Sequence, residues 1–268
     1  MVLKLVILSL FLVSCTINQL SDYRAIQGFI EQDKITIDYN ADKICYSPID
    51  RTFFLLQRDD NTIRIYKNGS FFNVIGGSGF TSENFRRLTD ICTGIDGSLY
   101  ALDSFDRSIK RFDKDGVFIN QVSLQNISSP ERIAMTNFGS VFIYDSHGKE
   151  IYALDAFDMS VKYTFGKFQI DNADSFFISG NFLNIYDNES RETGVFLLNG
   201  MFENSFRGFT FYEAHRNLIS LSFQDIVVSR IDRTLFSTDN RIDLFNIEHG
   251  FFIIGLNDAI YVFRGNYL

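Results

Sequence analysis

The feature that most constrains the fold of this chain is an internal repeat of about 42 residues, a length typical of folds in which one supersecondary unit is stacked many times. An apolar segment that ends in an acid occurs as Leu99–Asp103, Val141–Asp145 and Leu183–Asp187. The three acids are evenly spaced along the chain. The chain is therefore expected to be an array of similar units.

Weaker copies extend the repeat in both directions. A step of 42 residues beyond Asp187 leads to Ser229, where the acid is lost. A step of 43 residues back from Asp103 leads to Asp60, which follows an apolar segment. A sixth, truncated copy ends the chain at Gly250–Phe263. Six such copies fill almost all of the chain that follows Ser14.

Residues 90–119 show the pattern within one copy most clearly. Turns at Asp96-Gly97 and Asp115-Gly116 separate alternating segments, and Asp-Gly is a strong hairpin signal because glycine adopts the positive φ that a tight turn needs. Four short antiparallel strands in about 40 residues are typical of a propeller blade. The four segments are Asp90–Thr93, Ser98–Leu102, Ser108–Phe112 and Val117–Ile119.

Pro130–Met135, then Gly139 and Val141–Asp145, resemble the inner strand, turn and second strand of the NHL repeat family. Asp115–Phe118 and Ile75–Phe80 are similar to that family's link between outer strands and its glycine-rich loop between blades. The resemblance implies a six-bladed β-propeller and a scaffolding role.

Beyond residues 44–161 the resemblance depends on spacing alone. A propeller ring must close, and closure removes strand edges that invite aggregation. Lys34–Tyr39 alternates between polar and apolar residues, as a strand does, and it precedes the first copy. It is therefore predicted to supply the outer strand that the truncated last copy lacks. The predicted fold is all-β: a six-bladed β-propeller with four-stranded antiparallel blades, in which an N-terminal strand closes the last blade. Residues 34–268 would form this single domain.

The first residues predict export and a lipid anchor. Lys4 precedes the apolar run Leu5–Val13, which has the layout of a signal peptide and is too short for the roughly 20 apolar residues of a membrane span. Leu12–Cys15 resembles a bacterial lipobox, which implies cleavage after Ser14 and attachment of acyl chains such as palmitate at Cys15. An ordinary signal peptide with a chance cysteine is the alternative.

Residues 15–33 are then expected to be a tether, with a short helical turn around Leu20–Ile30. The whole chain carries a net charge of −8, and loss of Lys4 with the signal peptide makes it −9. Such a charge disfavours contact with nucleic acid and with anionic lipid, so the anchor would hold the protein at the membrane. Thr16 lacks the acid that retains some bacterial lipoproteins at the inner membrane, which favours the outer membrane of the cell envelope.

Composition supports one well-packed domain. Hydrophobic residues make up 46% of the chain, Phe occurs 30 times, and the 2 prolines mark no linker. Cys45 and Cys92 occupy the same place on the innermost strands of consecutive copies, where neighbouring strands splay apart beyond the roughly 7 Å limit for a disulfide. Both are predicted to be free, buried thiols.

No catalytic, metal or cofactor site is predicted. The recurring acids could suggest a ring of metal ligands, but acids at strand ends usually accept backbone hydrogen bonds, and this role is favoured. The histidines lack zinc-site spacing, and no serine lies in a nucleophile elbow. The acids are Asp60, Asp103, Asp145 and Asp187, and the histidines are His147, His215 and His249.

Aromatic residues and arginines in the loops between copies are the candidate partner-binding residues, because aromatic and arginine side chains dominate interface hot spots. Packing between blades is the alternative for each. The leading hypothesis is a non-catalytic envelope scaffold for a protein partner. A metal-dependent, lactonase-like hydrolase in the channel and a small-ligand sensor are the alternatives. The candidates are Phe85, Arg86, Arg87, Phe168, Arg207 and Phe209.

Overall fold

The computed structural model describes residues 24–37, 41–222, 224–228, 233–256 and 258–267. The predicted signal peptide, Cys15 and Ser229 lie outside these residues. Within the described ranges, no helix is long and apolar enough to cross a membrane.

The described residues form six sheets, each of four antiparallel strands, so the predicted six-bladed β-propeller is confirmed. Blade 1 contains β2 (Lys43–Ser47), β3 (Thr52–Gln57), β4 (Thr62–Lys67) and β5 (Ser70–Gly76). Blade 2 contains β6 (Leu88–Thr93), β7 (Leu99–Asp103), β8 (Ser108–Phe112) and β9 (Phe118–Ser123). Blade 3 contains β10 (Pro130–Met135), β11 (Ser140–Asp145), β12 (Glu150–Asp155) and β13 (Val161–Phe165). Blade 4 contains β14 (Ser175–Ser179), β15 (Phe182–Asp187), β16 (Glu192–Leu197) and β17 (Phe202–Arg207). Blade 5 contains β18 (Phe209–Tyr212), β19 (Leu218–Leu221), β20 (Asp225–Val228) and β21 (Arg233–Ser237). Blade 6 contains β22 (Leu244–Glu248), β23 (Phe251–Leu256), β24 (Ala259–Tyr267) and the N-terminal strand β1 (Ile26–Thr36).

An N-terminal strand closes the ring as predicted, because β1 pairs with β24 at the outer edge of blade 6. The strand begins at Ile26 and not at Lys34, so the later part of the expected tether is β-structure, and residues 26–30 of the expected helical turn lie in this strand. The reason is the length of β24, which offers pairing partners as far as Tyr267, opposite Ile26. Ile26 is fully buried in the core around blades 5 and 6, which stabilises this longer strand.

The hydrophobic core lies between the blades. Each strand alternates, so that successive side chains face opposite neighbouring blades. In β3, for example, Phe54 packs with Leu99 of blade 2, whereas Phe53 packs with Ile253 of blade 6. Each fully buried apolar side chain of this kind stabilises the fold by about 1.5–3 kcal/mol.

The outer edge of every blade carries an irregularity. The pairing of each outermost strand with its neighbour contains at least one register shift, of the kind that bulges produce. The N–H of Val74 in β5 also donates a local hydrogen bond to Asn73 Oδ1, 2.8 Å away. Bulges and local capping discourage pairing with another chain. The loops, and not the strand edges, are therefore the surfaces to consider for function.

Candidate functional site

The propeller has two loop-bearing faces. Connections between second and third strands, and connections from one blade to the next, lie at the end of the ring that we call the entry face. All six candidate partner-binding residues lie on or beside it, in loops 77–87 and 166–174 and around Gly208. The remaining hairpin connections lie on the opposite face, which we call the hairpin face.

The recurring acids organise turns at the entry face. Asp103 accepts hydrogen bonds from the backbone N–H groups of Arg86, Arg87, Phe105 and Asp106 at 2.8–3.2 Å. Asp145 in blade 3 and Asp187 in blade 4 likewise accept backbone N–H groups of their own loops. These contacts support the turn-organising interpretation of the repeated acid.

Asp60 does not share that role. It is exposed, and the neighbouring Asn61 accepts the Leu88 N–H through its Oδ1 at 2.7 Å instead. Because β3 ends at Gln57, the position reached by counting one repeat back from Asp103 falls within the following turn. The predicted alignment of the first copy at Asp60 is therefore wrong by a few positions.

Two of the six candidates pack against neighbouring blades. Phe85 is fully buried and packs against Phe112 between blades 1 and 2, so it cannot meet a partner at the surface. Gly76 allows this, since a β-carbon there would lie 2.8 Å from the Phe85 ring. Phe209 is partly buried against the core of blades 4 to 6. Phe85 is therefore a packing residue, whereas Phe209 combines packing between blades with partial exposure.

The other four candidates are exposed at the entry face: Arg86, Arg87, Phe168 and Arg207. Arg86 lies over two exposed aromatic rings, with its guanidinium carbon 3.6 Å from the centre of Phe105 and 6.0 Å from the centre of Phe80. Phe80 is 94% exposed and Phe105 is 58% exposed. We call these three residues the Arg86 stack.

Two aspartates, Asp103 and Asp106, hold the Arg86 stack in place. Asp103 accepts the backbone N–H groups of Arg86 and Phe105, and Asp106 Oδ1 lies 3.1 Å from Arg86 Nη1. Sequence reasoning found Arg86 but missed Phe80 and Phe105. The position of Phe105, two places after a repeated acid, was the available signal that it lies in a loop.

Phe168 combines almost full exposure with an unusual backbone. Its ring is 94% exposed, and its φ of 68° lies in the left-handed region, where a bulky residue is rare. Such a conformation costs on the order of 1–3 kcal/mol and is found preferentially at functional sites. The turn thus holds an aromatic ring in solvent at a position that suits glycine.

The channel contains a buried ion pair between blades. Lys43 Nζ lies 2.8 Å from Asp90 Oδ1, and Asp90 Oδ2 accepts the Ile133 N–H at 2.8 Å. Burial alone would lower the pKa of Lys43, but interactions with Asp90, Cys45 and Cys92 together outweigh that effect and the pKa is raised. These contacts connect the inner strands of blades 1, 2 and 3.

Near the hairpin face, Glu248 connects blade 6 to blades 1 and 2. Its carboxylate accepts the N–H groups of Tyr46 at 3.0 Å and Thr93 at 2.6 Å. The next residue, His249, has ring nitrogens 2.9 Å from Thr93 Oγ1 and 2.5 Å from Asn137 Oδ1. Among the described residues, no group of three or more acidic, histidine or cysteine side chains is arranged to hold a metal ion.

Cys45 and Cys92 are free and buried, as predicted. Burial raises the pKa of both thiols well above the usual value, and the nearby Glu248 carboxylate raises it further. Because the thiolate is the reactive form, these cysteines are inert packing residues.

Two polar cavities occupy the ends of the channel. The one at the hairpin face has a volume of about 350 Å³ and includes Glu248 and His249, and the one at the entry face has a volume of about 310 Å³ and includes Asp90 and Arg132. The two cavities share one set of lining residues. That set is Lys43, Phe176, Phe177 and Asn246.

These features define the chain as a six-bladed β-propeller. No protein-family model matches the sequence, and a search of curated proteins finds no match. Among solved structures, the chain is similar to one described as a streptogramin B lyase structure, with a TM-score of 0.56 and 12% sequence identity. The match covers 89% of this chain and 98% of the other. At this identity the likeness extends to the fold alone.

Proposed function

We propose that the chain is a non-catalytic β-propeller scaffold of the bacterial cell envelope, anchored by lipid at Cys15, that binds a protein partner at its entry face. The observation that carries this proposal is the Arg86 stack. A planar guanidinium that lies over the Phe105 ring and pairs with Asp106 is already ordered, so little side-chain entropy is lost on binding. Cation–π contacts also strengthen, from about 0.5–1 kcal/mol when exposed to about 2 kcal/mol, once a partner excludes water.

The proposal is tested by recovering partners from detergent-solubilised membranes with the intact protein and with a Phe80→Ala, Arg86→Ala, Phe105→Ala variant. Recovery should fall at least tenfold, because hot-spot residues each contribute about 2 kcal/mol or more. The matched control is Phe157→Ala, a 98% exposed phenylalanine on the hairpin face. Equal recovery by all three proteins would contradict the proposal.

The lipid anchor is tested separately. Cys15→Ser should leave the protein uncut or release it from the membrane fraction, since acylation at that thiol is the proposed means of attachment. A processed Cys15→Ser protein that still sediments with membranes would exclude the anchor and leave the partner-binding face untouched.

The second candidate is chemistry or small-ligand sensing in the channel, favoured by the cavity of about 350 Å³ beside His249 and by the lyase fold neighbour. Protein donors already occupy the carboxylates of Asp90 and Glu248, which supports the scaffold over a metal-dependent enzyme. We expect no stoichiometric metal in the purified protein and no change in its thermal midpoint on chelation. About one divalent ion per chain, with an activity lost on chelation, would favour the channel enzyme.

A further inference from the structure

A cleft outside the channel opens at the entry face between blades 4, 5 and 6. Its volume is about 720 Å³, within the range of small-molecule sites. At this place β18, β19 and β20 of blade 5 span four residues each, and the inner strands of blades 4 and 6, β14 and β22, contact each other directly. Residues of all three blades therefore line the cleft.

The floor of the cleft is aromatic. Phe209 lies between Tyr186 of blade 4, with ring centres 4.9 Å apart, and Phe245 of blade 6, with ring centres 5.6 Å apart. All three rings are only partly buried. Leu221 and Leu244 complete the apolar surface. This floor offers flat apolar area to a ligand of similar shape.

The mouth of the cleft is basic. Arg191 of blade 4 and Arg241 from the loop before blade 6 both line it, and both are exposed. The Arg191 carbonyl accepts the Gly208 N–H at 2.8 Å, which fixes that turn beside the cleft. Asp243 also lines the mouth, with its Oδ1 3.8 Å from Arg241 Nε. In a chain with a net charge of −8, two guanidinium groups above an aromatic floor form an unusual local combination.

We propose that this cleft binds a small amphipathic anion, with an aromatic body on the floor formed by Phe209 and Phe245 and a carboxylate, sulfonate or phosphate group at Arg191 and Arg241. Guanidinium groups bind the oxygens of carboxylate, sulfonate and phosphate groups through charge-assisted hydrogen bonds. The aromatic floor supplies area for stacking. The cleft is separate from the Arg86 stack, so the two proposals succeed or fail independently.

The experiment uses two dyes with the same aromatic body. 1-Anilinonaphthalene-8-sulfonate carries the anionic group, and N-phenyl-1-naphthylamine lacks it. Calorimetric titration of the intact protein should give one site for the sulfonate, with at least tenfold higher affinity than for the neutral dye. An Arg191→Ala, Arg241→Ala variant should lose that tenfold advantage while its affinity for the neutral dye stays the same.

The control is Arg216→Ala, because Arg216 is also an exposed arginine with a left-handed backbone in a turn, but lies on the hairpin face. It should bind both dyes like the wild type. Leu221→Trp, which would fill the cleft, should abolish binding of both dyes, and the arginine pair decides the matter if that variant fails to fold. Equal affinity for the two dyes, or sulfonate binding that survives the loss of both arginines, would overturn the proposal.

Discussion

At the residue scale, this propeller uses side-chain carboxylates to organise its backbone. Asp103 accepts hydrogen bonds from backbone N–H groups of a loop between blades, and Glu248 accepts them from two neighbouring inner strands. A buried acceptor that serves several donors is expensive to remove, because each donor then loses its partner.

Asp103→Ala should therefore destabilise the fold by about 2–3 kcal/mol, since several backbone donors become unsatisfied together. Urea unfolding followed by circular dichroism measures this. Asp60→Ala is the matched control, because Asp60 is exposed and should change stability by less than about 0.5 kcal/mol. Equal effects of the two substitutions would show that Asp103 does not organise its loop.

Lys43→Met should destabilise the protein by about 3 kcal/mol or more, because it leaves the Asp90 carboxylate buried without its counter-charge. The folded-state pKa of Lys43 is raised above its ordinary value of 10.5, so the stability it contributes is fully present below that pH and is lost as pH rises through the folded-state pKa. The stability difference between wild type and variant should be constant from about pH 7 to 10 and shrink above that range. A difference that grows with pH would contradict this assignment.

The behaviour of individual residues also explains why the candidate site was only partly predictable from the sequence. Phe80, Phe85 and Phe105 have similar local surroundings in the sequence, yet only Phe85 turns inward. Its burial depends on how loop 77–87 folds back over Gly76, which is a tertiary property. Arg86 was predictable as a loop cation, whereas its two aromatic neighbours depend on that loop path.

At the element scale, the closing strand β1 determines the integrity of the ring. Periodicity predicted the strand and its role, because alternation over a few positions is visible locally. Its start at Ile26 was not predictable, since it depends on the length of β24 at the other end of the chain. Long-range pairing of this kind leaves little local signal.

Ile35→Ala should destabilise the protein by about 2–5 kcal/mol, because Ile35 is buried in the core between blades 1 and 6 and its loss leaves a cavity. Ile30→Ala on the same strand is the control, since Ile30 is half exposed and should have little effect. Thermal unfolding of both variants measures the difference. Similar midpoints for the two would mean that β1 does not close the ring in solution.

At the scale of the whole molecule, the repeat predicted the number of blades and the strand order within each. It did not predict that the inner strands of blades 4 and 6 would contact each other directly, because the fifth copy keeps the spacing of the others. The result is a propeller with two distinct features on one face, the Arg86 stack and the cleft beside blade 5. The central claim is that this entry face binds a protein partner.

The most direct test of that claim is site-specific photo-crosslinking in cells. A photoreactive phenylalanine analogue is placed at Phe105 in the Arg86 stack or at Phe157 on the hairpin face, and adducts are resolved by electrophoresis. Phe105 should give one discrete adduct of fixed mass, which Arg86→Ala weakens, and Phe157 should give none. Adducts at Phe157 alone, or no discrete adduct at Phe105, would contradict the account of the entry face as the binding surface.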